Sequence, residues 1–177
     1  WVLGLSKDKK EDDPNSEGDS TLKITTAKNQ IKITEVSGHE YFAENLITRL
    51  PASDVALLVV SAKAGEFEAS IDKEDLLSQD ILLASSFVAK NIIVAVNKID
   101  GETQARFEEI QGKVSERITK ITGLESSRIT FVPVSAKNGD NIAEKSVNLA
   151  WYEGLTLLQA FEGIPPAKKL SEKPLRI

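Results

Sequence analysis

The chain of 177 residues contains no cysteine, no methionine and one histidine, His39. Without cysteine there is no disulfide and no thiolate metal site, which fits a reducing compartment. A single histidine excludes any metal centre built from several imidazoles. Aromatic residues make up only 6% of the chain, and no apolar run approaches the length needed to span a membrane or serve as a signal segment. The net charge of -5 argues against a surface given over to nucleic-acid contacts, though a local basic patch is compatible with it. The lack of methionine, with Trp1 in first place, is the pattern of a chain without its native amino terminus. What remains, 41% hydrophobic and 28% charged, is the composition of one soluble, core-bearing domain.

The most informative stretch is Asn91-Ile92-Ile93-Val94-Ala95-Val96-Asn97-Lys98-Ile99-Asp100. A β-branched apolar run of strand length stops at a polar quartet, and the carboxyl ends of buried parallel strands are where open α/β sheets bind ligands. Asn97 carries both a donor and an acceptor; Asp100 is an acceptor-only carboxylate. Guanine presents an imino N–H beside an exocyclic amine, a pair that one carboxylate accepts, and N7 and O6 acceptors that suit amide and backbone N–H donors. Adenine would leave the aspartate unpaired, and an unpaired polar group discriminates strongly. A second apolar run, Phe131-Val132-Pro133-Val134, ends in Ser135-Ala136-Lys137, where small residues admit a purine edge and the Lys137 stem can cover a ring face.

Periodicity organises the rest. Residues 7–20 hold no apolar residue and read as a solvated loop. Leu22–Thr26 and Gln30–Val36 read as an antiparallel hairpin, Val55–Ser61 as a buried strand and Ile129–Val134 as another. Trp1-Val2-Leu3 reads as the end of a helix. Helices are expected over His39–Leu50, Ile71–Ala89 and Leu155–Phe161, and along the apolar stripe Phe107, Ile110, Val114, Ile118, Ile121. Strands alternating with helices predict an α/β fold: a doubly wound, mostly parallel sheet with helices on both faces.

Asn97-Lys98-Ile99-Asp100 and Ser135-Ala136-Lys137 resemble the two base-recognition motifs of guanine-nucleotide-binding G domains. Asp54–Val60, Gly65-Glu66-Phe67-Glu68-Ala69, Asn138-Gly139-Asp140-Asn141, Trp151-Tyr152 and Lys173-Pro174-Leu175-Arg176 further resemble translational GTPases of the elongation factor 1-alpha group, with release-factor and ribosome-rescue relatives. The resemblance implies a P-loop-NTPase-like G domain over 1–166 and a linker to a second domain over 167–177. It implies GTP or GDP with Mg2+ as cofactors, and phosphoryl transfer to water on the ribosome during delivery of aminoacyl-tRNA. A cytoplasmic location, a nucleotide exchange factor as a further partner and no membrane association go with it.

By the same resemblance Asn97, Lys98, Asp100, Ser135, Ala136 and Lys137 hold the base. Gly38 offers its amide to a γ-phosphate, His39 orients the attacking water, and Glu35 meets magnesium through a water. The chain also departs from the family. No Gly-x-x-x-x-Gly-Lys-Ser/Thr phosphate loop occurs, the family's Asp-Ala-Pro-Gly-His is Glu35-Val36-Ser37-Gly38-His39, and its Gln-Thr-Arg-Glu-His is Leu76-Leu77-Ser78-Gln79-Asp80. The alternative implied is a degenerate G-domain module that binds guanine nucleotide weakly or not at all and does not hydrolyse it. The family's first strand lies between the strands ending at Val36 and beginning at Val55, so this chain is expected to expose facing strand edges there and to fold poorly alone.

Overall fold

The computed structural model describes residues 2–6, 21–26, 30–36, 53–72, 76–87 and 91–164. Six strands form one sheet in the order β2-β3-β1-β4-β5-β6. They are β1 (Val2–Ser6), β2 (Thr21–Thr25), β3 (Gln30–Val36), β4 (Val55–Ser61), β5 (Ile92–Asn97) and β6 (Ile129–Pro133). β4, β5 and β6 pair in parallel, and β1 is antiparallel to both β3 and β4. β3 therefore points the same way as β4, so four strands of the six share one direction.

The parallel strands are apolar along most of their length because both of their faces are covered. On one face Ala56, Leu58, Val60, Ile92, Val94, Val96 and Phe131 meet the helices α1 (Glu66–Asp72), α2 (Leu76–Phe87) and α3 (Gln104–Thr122). On the other, Val55, Leu57, Ile93, Ala95 and Val132 pack with Ala160 and Phe161 of α4 (Leu157–Glu162). The expected α/β architecture with helices on both faces is thus present.

α3 shows how locally the sequence sets its elements. Phe107, Ile110, Val114 and Ile118 recur at helical spacing and all are buried. Thr103 caps the start by accepting from the Arg106 N–H, and Gly123, at φ 69°, closes the end with its N–H on the Thr119 carbonyl. α4 begins in a capping box of Thr156 and Gln159.

Three expectations change. Val2 and Leu3 lie in a strand, not at the end of a helix: β1 finds pairing partners on both sides, and tertiary pairing outweighs the weak local preference of a five-residue segment. That strand sits between β3 and β4, so the slot expected to be empty is filled and the facing edges are paired. The helix expected over 71–89 is two helices, α1 beginning earlier at Glu66 and α2 ending at Phe87. The loop at 7–20, the helix at 39–50 and the linker at 167–177 lie outside the described residues.

Candidate functional site

The ends of β4, β5 and β6 form one polar edge. β4 and β5 are in register to their last residues, Ser61 beside Asn97. The chain then turns sharply: Lys98 takes φ 61° and Gly101 φ 85°. Lysine seldom occupies this left-handed region, whereas glycine does so freely. Between them Ile99 is fully buried and its N–H reaches the Val134 carbonyl, which pins the turn to the strand beneath Ser135. The side chains of Asn97, Lys98 and Asp100 are thereby left at the edge.

The two polar segments predicted from sequence meet here. The Ser135 hydroxyl, fully buried, donates to Asp100 Oδ1 at 2.7 Å. The Ala136 N–H donates to Asn97 Oδ1 at 3.0 Å. Ser135 above all, then the local backbone N–H and the charges of Lys137 and Lys63, hold the Asp100 carboxyl below its usual range. Asp100 is exposed and is an ionised acceptor at neutral pH. With its oxygen engaged by Ala136, the Asn97 amide presents its nitrogen as a donor.

Behind this edge the loop from Ser135 to Asn141 is closed by its own bonds. Gly139 N–H reaches the Ser135 carbonyl at 2.8 Å, and buried Asn141 donates to the Pro133 carbonyl and accepts from the Ser146 N–H. Asp140 accepts from Ser146 and Asn148 side chains. Among the described residues no buried side-chain nitrogen or oxygen lacks a hydrogen-bond partner.

The segment after β4, through the start of α1, carries contacts that the sequence pattern did not reveal. Lys98 Nζ lies 2.6 Å from Glu66 Oε2, and Ser61 Oγ donates to the same oxygen at 2.7 Å. Glu68 accepts from the Gly65 N–H and from Arg106 Nη2, while Arg106 Nε reaches the Ala62 carbonyl. Arg106 also lies over the buried Phe67 ring, 5.4 Å from its centroid. The one available signal was the density of acids in Gly65-Glu66-Phe67-Glu68; their partners are 32 and 38 residues away.

The polar edge is open. A separate groove of about 500 Å³ lies between α1, α2 and α3, lined in part by Ile71, Ser78, Lys113 and Arg117. Gly38 and His39 lie outside the described residues. Glu35 is on β3, paired through its backbone with Leu3; its side chain is outside the description. Among the described residues no group of three or more His, Cys, Asp or Glu side chains could hold a metal ion. The exposed Asp100 carboxylate is an acceptor and the Asn97 amide nitrogen a donor, the kinds of group that a purine edge pairs with.

An α/β sheet with polar segments at the carboxyl ends of its parallel strands is a class of fold that binds ligands at that edge. Residues 16–166 match the family model described as "Elongation factor Tu GTP binding domain", and the chain belongs to that family. It is 42% identical over 159 residues to elongation factor 1-alpha of Euglena gracilis, covering 88% of this chain and 36% of that protein. It is 40% identical to elongation factor 1-alpha of Aeropyrum pernix, covering 100% and 41%. The chain thus spans about two fifths of the length of these relatives. Among solved structures, sup35 complexed with GMPPNP matches with TM-score 0.60 at 27% identity, over 66% of this chain and 30% of that one. The S. cerevisiae Ski7 GTPase-like domain bound to GTP shares the fold with TM-score 0.65 at 20% identity, over 82% and 34%.

Proposed function

We propose that this chain is the guanine-recognising part of an elongation factor 1-alpha-like translational GTPase, which hydrolyses GTP during delivery of aminoacyl-tRNA to the ribosome. The observation that carries the reading is the direct bond between Ser135 and Asp100, joining the two polar segments into one pocket edge. Asp100 would accept the imino and amino N–H groups of guanine. Asn97 would donate to N7 or O6, and Lys98 and Lys137 would flank the ring. Family membership and the relatives' names support the translational role, with aminoacyl-tRNA, ribosome and an exchange factor as partners and the cytoplasm as the location. Gly38, His39 and Glu35 keep the γ-phosphate, water-orienting and magnesium roles that the resemblance gives them. Magnesium, when bound, would neutralise phosphate charge. Competition of a fluorescent GDP analogue by GTP and by ATP tests the base reading, and only GTP is expected to compete.

A second reading, a guanine-binding module without hydrolysis, is favoured by the direction of β1. Because β1 is antiparallel to β4, Ser6 lies beyond the Val55 end of that strand, at the opposite edge from Asn97. The carboxyl end of β1 is thus on the other side of the sheet's length from the proposed base pocket. Turnover of GTP with magnesium, measured on a longer version of the protein, separates the two readings: the module would show none.

A further inference from the structure

The first residue of α1, Glu66, bears on the base pocket through one carboxylate oxygen. Glu66 Oε2 receives both the Ser61 hydroxyl at 2.7 Å and the Lys98 ammonium at 2.6 Å. Ser61 ends β4, and Lys98 directly follows the end of β5. Below them the Ala62 N–H binds the Asn97 carbonyl at 2.7 Å. One carboxylate thus ties the last residue of one strand to the turn that carries Asn97 and Asp100 on the next.

Lys98 needs such a tie. Its backbone is in the left-handed region, which costs a non-glycine residue conformational energy unless the surroundings hold it there. Its side chain is half-exposed, so little packing restricts its rotatable methylenes. Anchored at its far end by Glu66, the stem is fixed beside the Asn97–Asp100 turn, where its methylenes make an apolar flank for a planar ring. Glu66 is itself held from two sides. It opens α1, next to the fully buried Phe67, and Glu68 one residue further is bound by Arg106 of α3.

We propose that Glu66 is a positioning residue of the guanine pocket, acting through Lys98: it sets the lysine stem and the Asn97–Asp100 turn in the geometry that receives the base. The proposal deepens the guanine reading and rests on it. A purely structural staple, holding α1 to the sheet, would act on stability alone.

A double-mutant cycle in GDP affinity separates these roles, with Glu66→Ala, Lys98→Ala and the double variant, each also melted thermally. An exposed pair of this kind contributes modestly, so Glu66→Ala is expected to weaken GDP binding about two- to fivefold. In the Lys98→Ala background the same change is expected to cost nothing further. Glu66→Gln keeps an acceptor of the same shape without the charge and gives a smaller loss, again absent once Lys98 is alanine. It also keeps the cycle readable if Glu66→Ala does not fold. Losses that add, or a Glu66→Ala chain that binds GDP as the parent does, would overturn the proposal. A parent chain that does not prefer GDP over ADP would instead overturn the guanine reading, and this proposal with it.

Discussion

Ser135, fully buried just beyond β6, donates its hydroxyl to the exposed carboxylate of Asp100, 35 residues earlier and after the neighbouring strand. The bond fixes the carboxylate's orientation from below and leaves it facing outward.

Removing that hydroxyl tests the link. Ser135→Ala is expected to lower the urea midpoint, because the buried hydroxyl that holds the Asp100 carboxylate is lost. It should also weaken GDP binding, since Asp100 would no longer be aimed. Urea unfolding and calorimetry of the same variant measure the two effects.

The strand at the centre of the sheet is a second point of test. Gly4 of β1 pairs with Thr34 on one side and Ala56 on the other. Gly4→Pro removes a ladder N–H in an interior strand and is expected to cost about 3 kcal/mol or more. A thermal melt reads it; an unchanged midpoint would mean that this segment does not occupy the slot.

Gly154 sits against the Tyr152 ring, and a Cβ there would overlap the tyrosine hydroxyl and ring atoms. Tyr152 donates to the Phe131 carbonyl at 2.9 Å and stacks edge-on with Phe107 and Trp151. Gly154→Ala should displace the ring and destabilise the chain by about 1–3 kcal/mol, visible as a shift in tryptophan fluorescence and a lower urea midpoint.

Acid sensitivity follows from Glu68. Its hydrogen bond from Arg106, then bonds from its own backbone N–H and that of Gly65, lower its pKa from 4.5 to about 2. A depressed carboxylate pKa means that the unfolded state binds the proton more readily. The stabilisation is therefore complete above about pH 4.5 and is lost as pH falls towards 2. Glu66, Asp100 and Glu109 shift in the same direction, while desolvation shifts Asp80 the opposite way. Unfolding followed across pH 2–5 should show a shallower acid slope in Glu68→Gln than in the parent.

Much of the fold is legible in the sequence because the elements that matter are strongly patterned. β3 and β4 run over the residues that alternation and apolar runs predict, and the α3 stripe is buried as its spacing requires. β1 was not legible: Val-Leu-Gly-Leu-Ser has no decisive period, and its state is set by β3 and β4, distant in sequence. Nor was the break between α1 and α2, since Ile71, Leu77, Ile81 and Ala84 suit one helix as well as two. At the candidate site, the meeting of Asn97 and Asp100 with Ser135 and Ala136 was readable from strand ends. The Glu66–Lys98 bond was not, because an exposed acid at the start of a short helix carries no mark of its partner.

The central claim is that Asp100 reads guanine, and calorimetric titration of GDP and ADP into the chain and its Asp100→Asn variant tests it most directly. An amide cannot accept both guanine N–H groups as a carboxylate does. The account predicts GDP binding with no detectable ADP binding by the parent, and loss of GDP binding by at least about tenfold in Asp100→Asn. Equal binding of GDP and ADP, or GDP binding unchanged by the substitution, would contradict it.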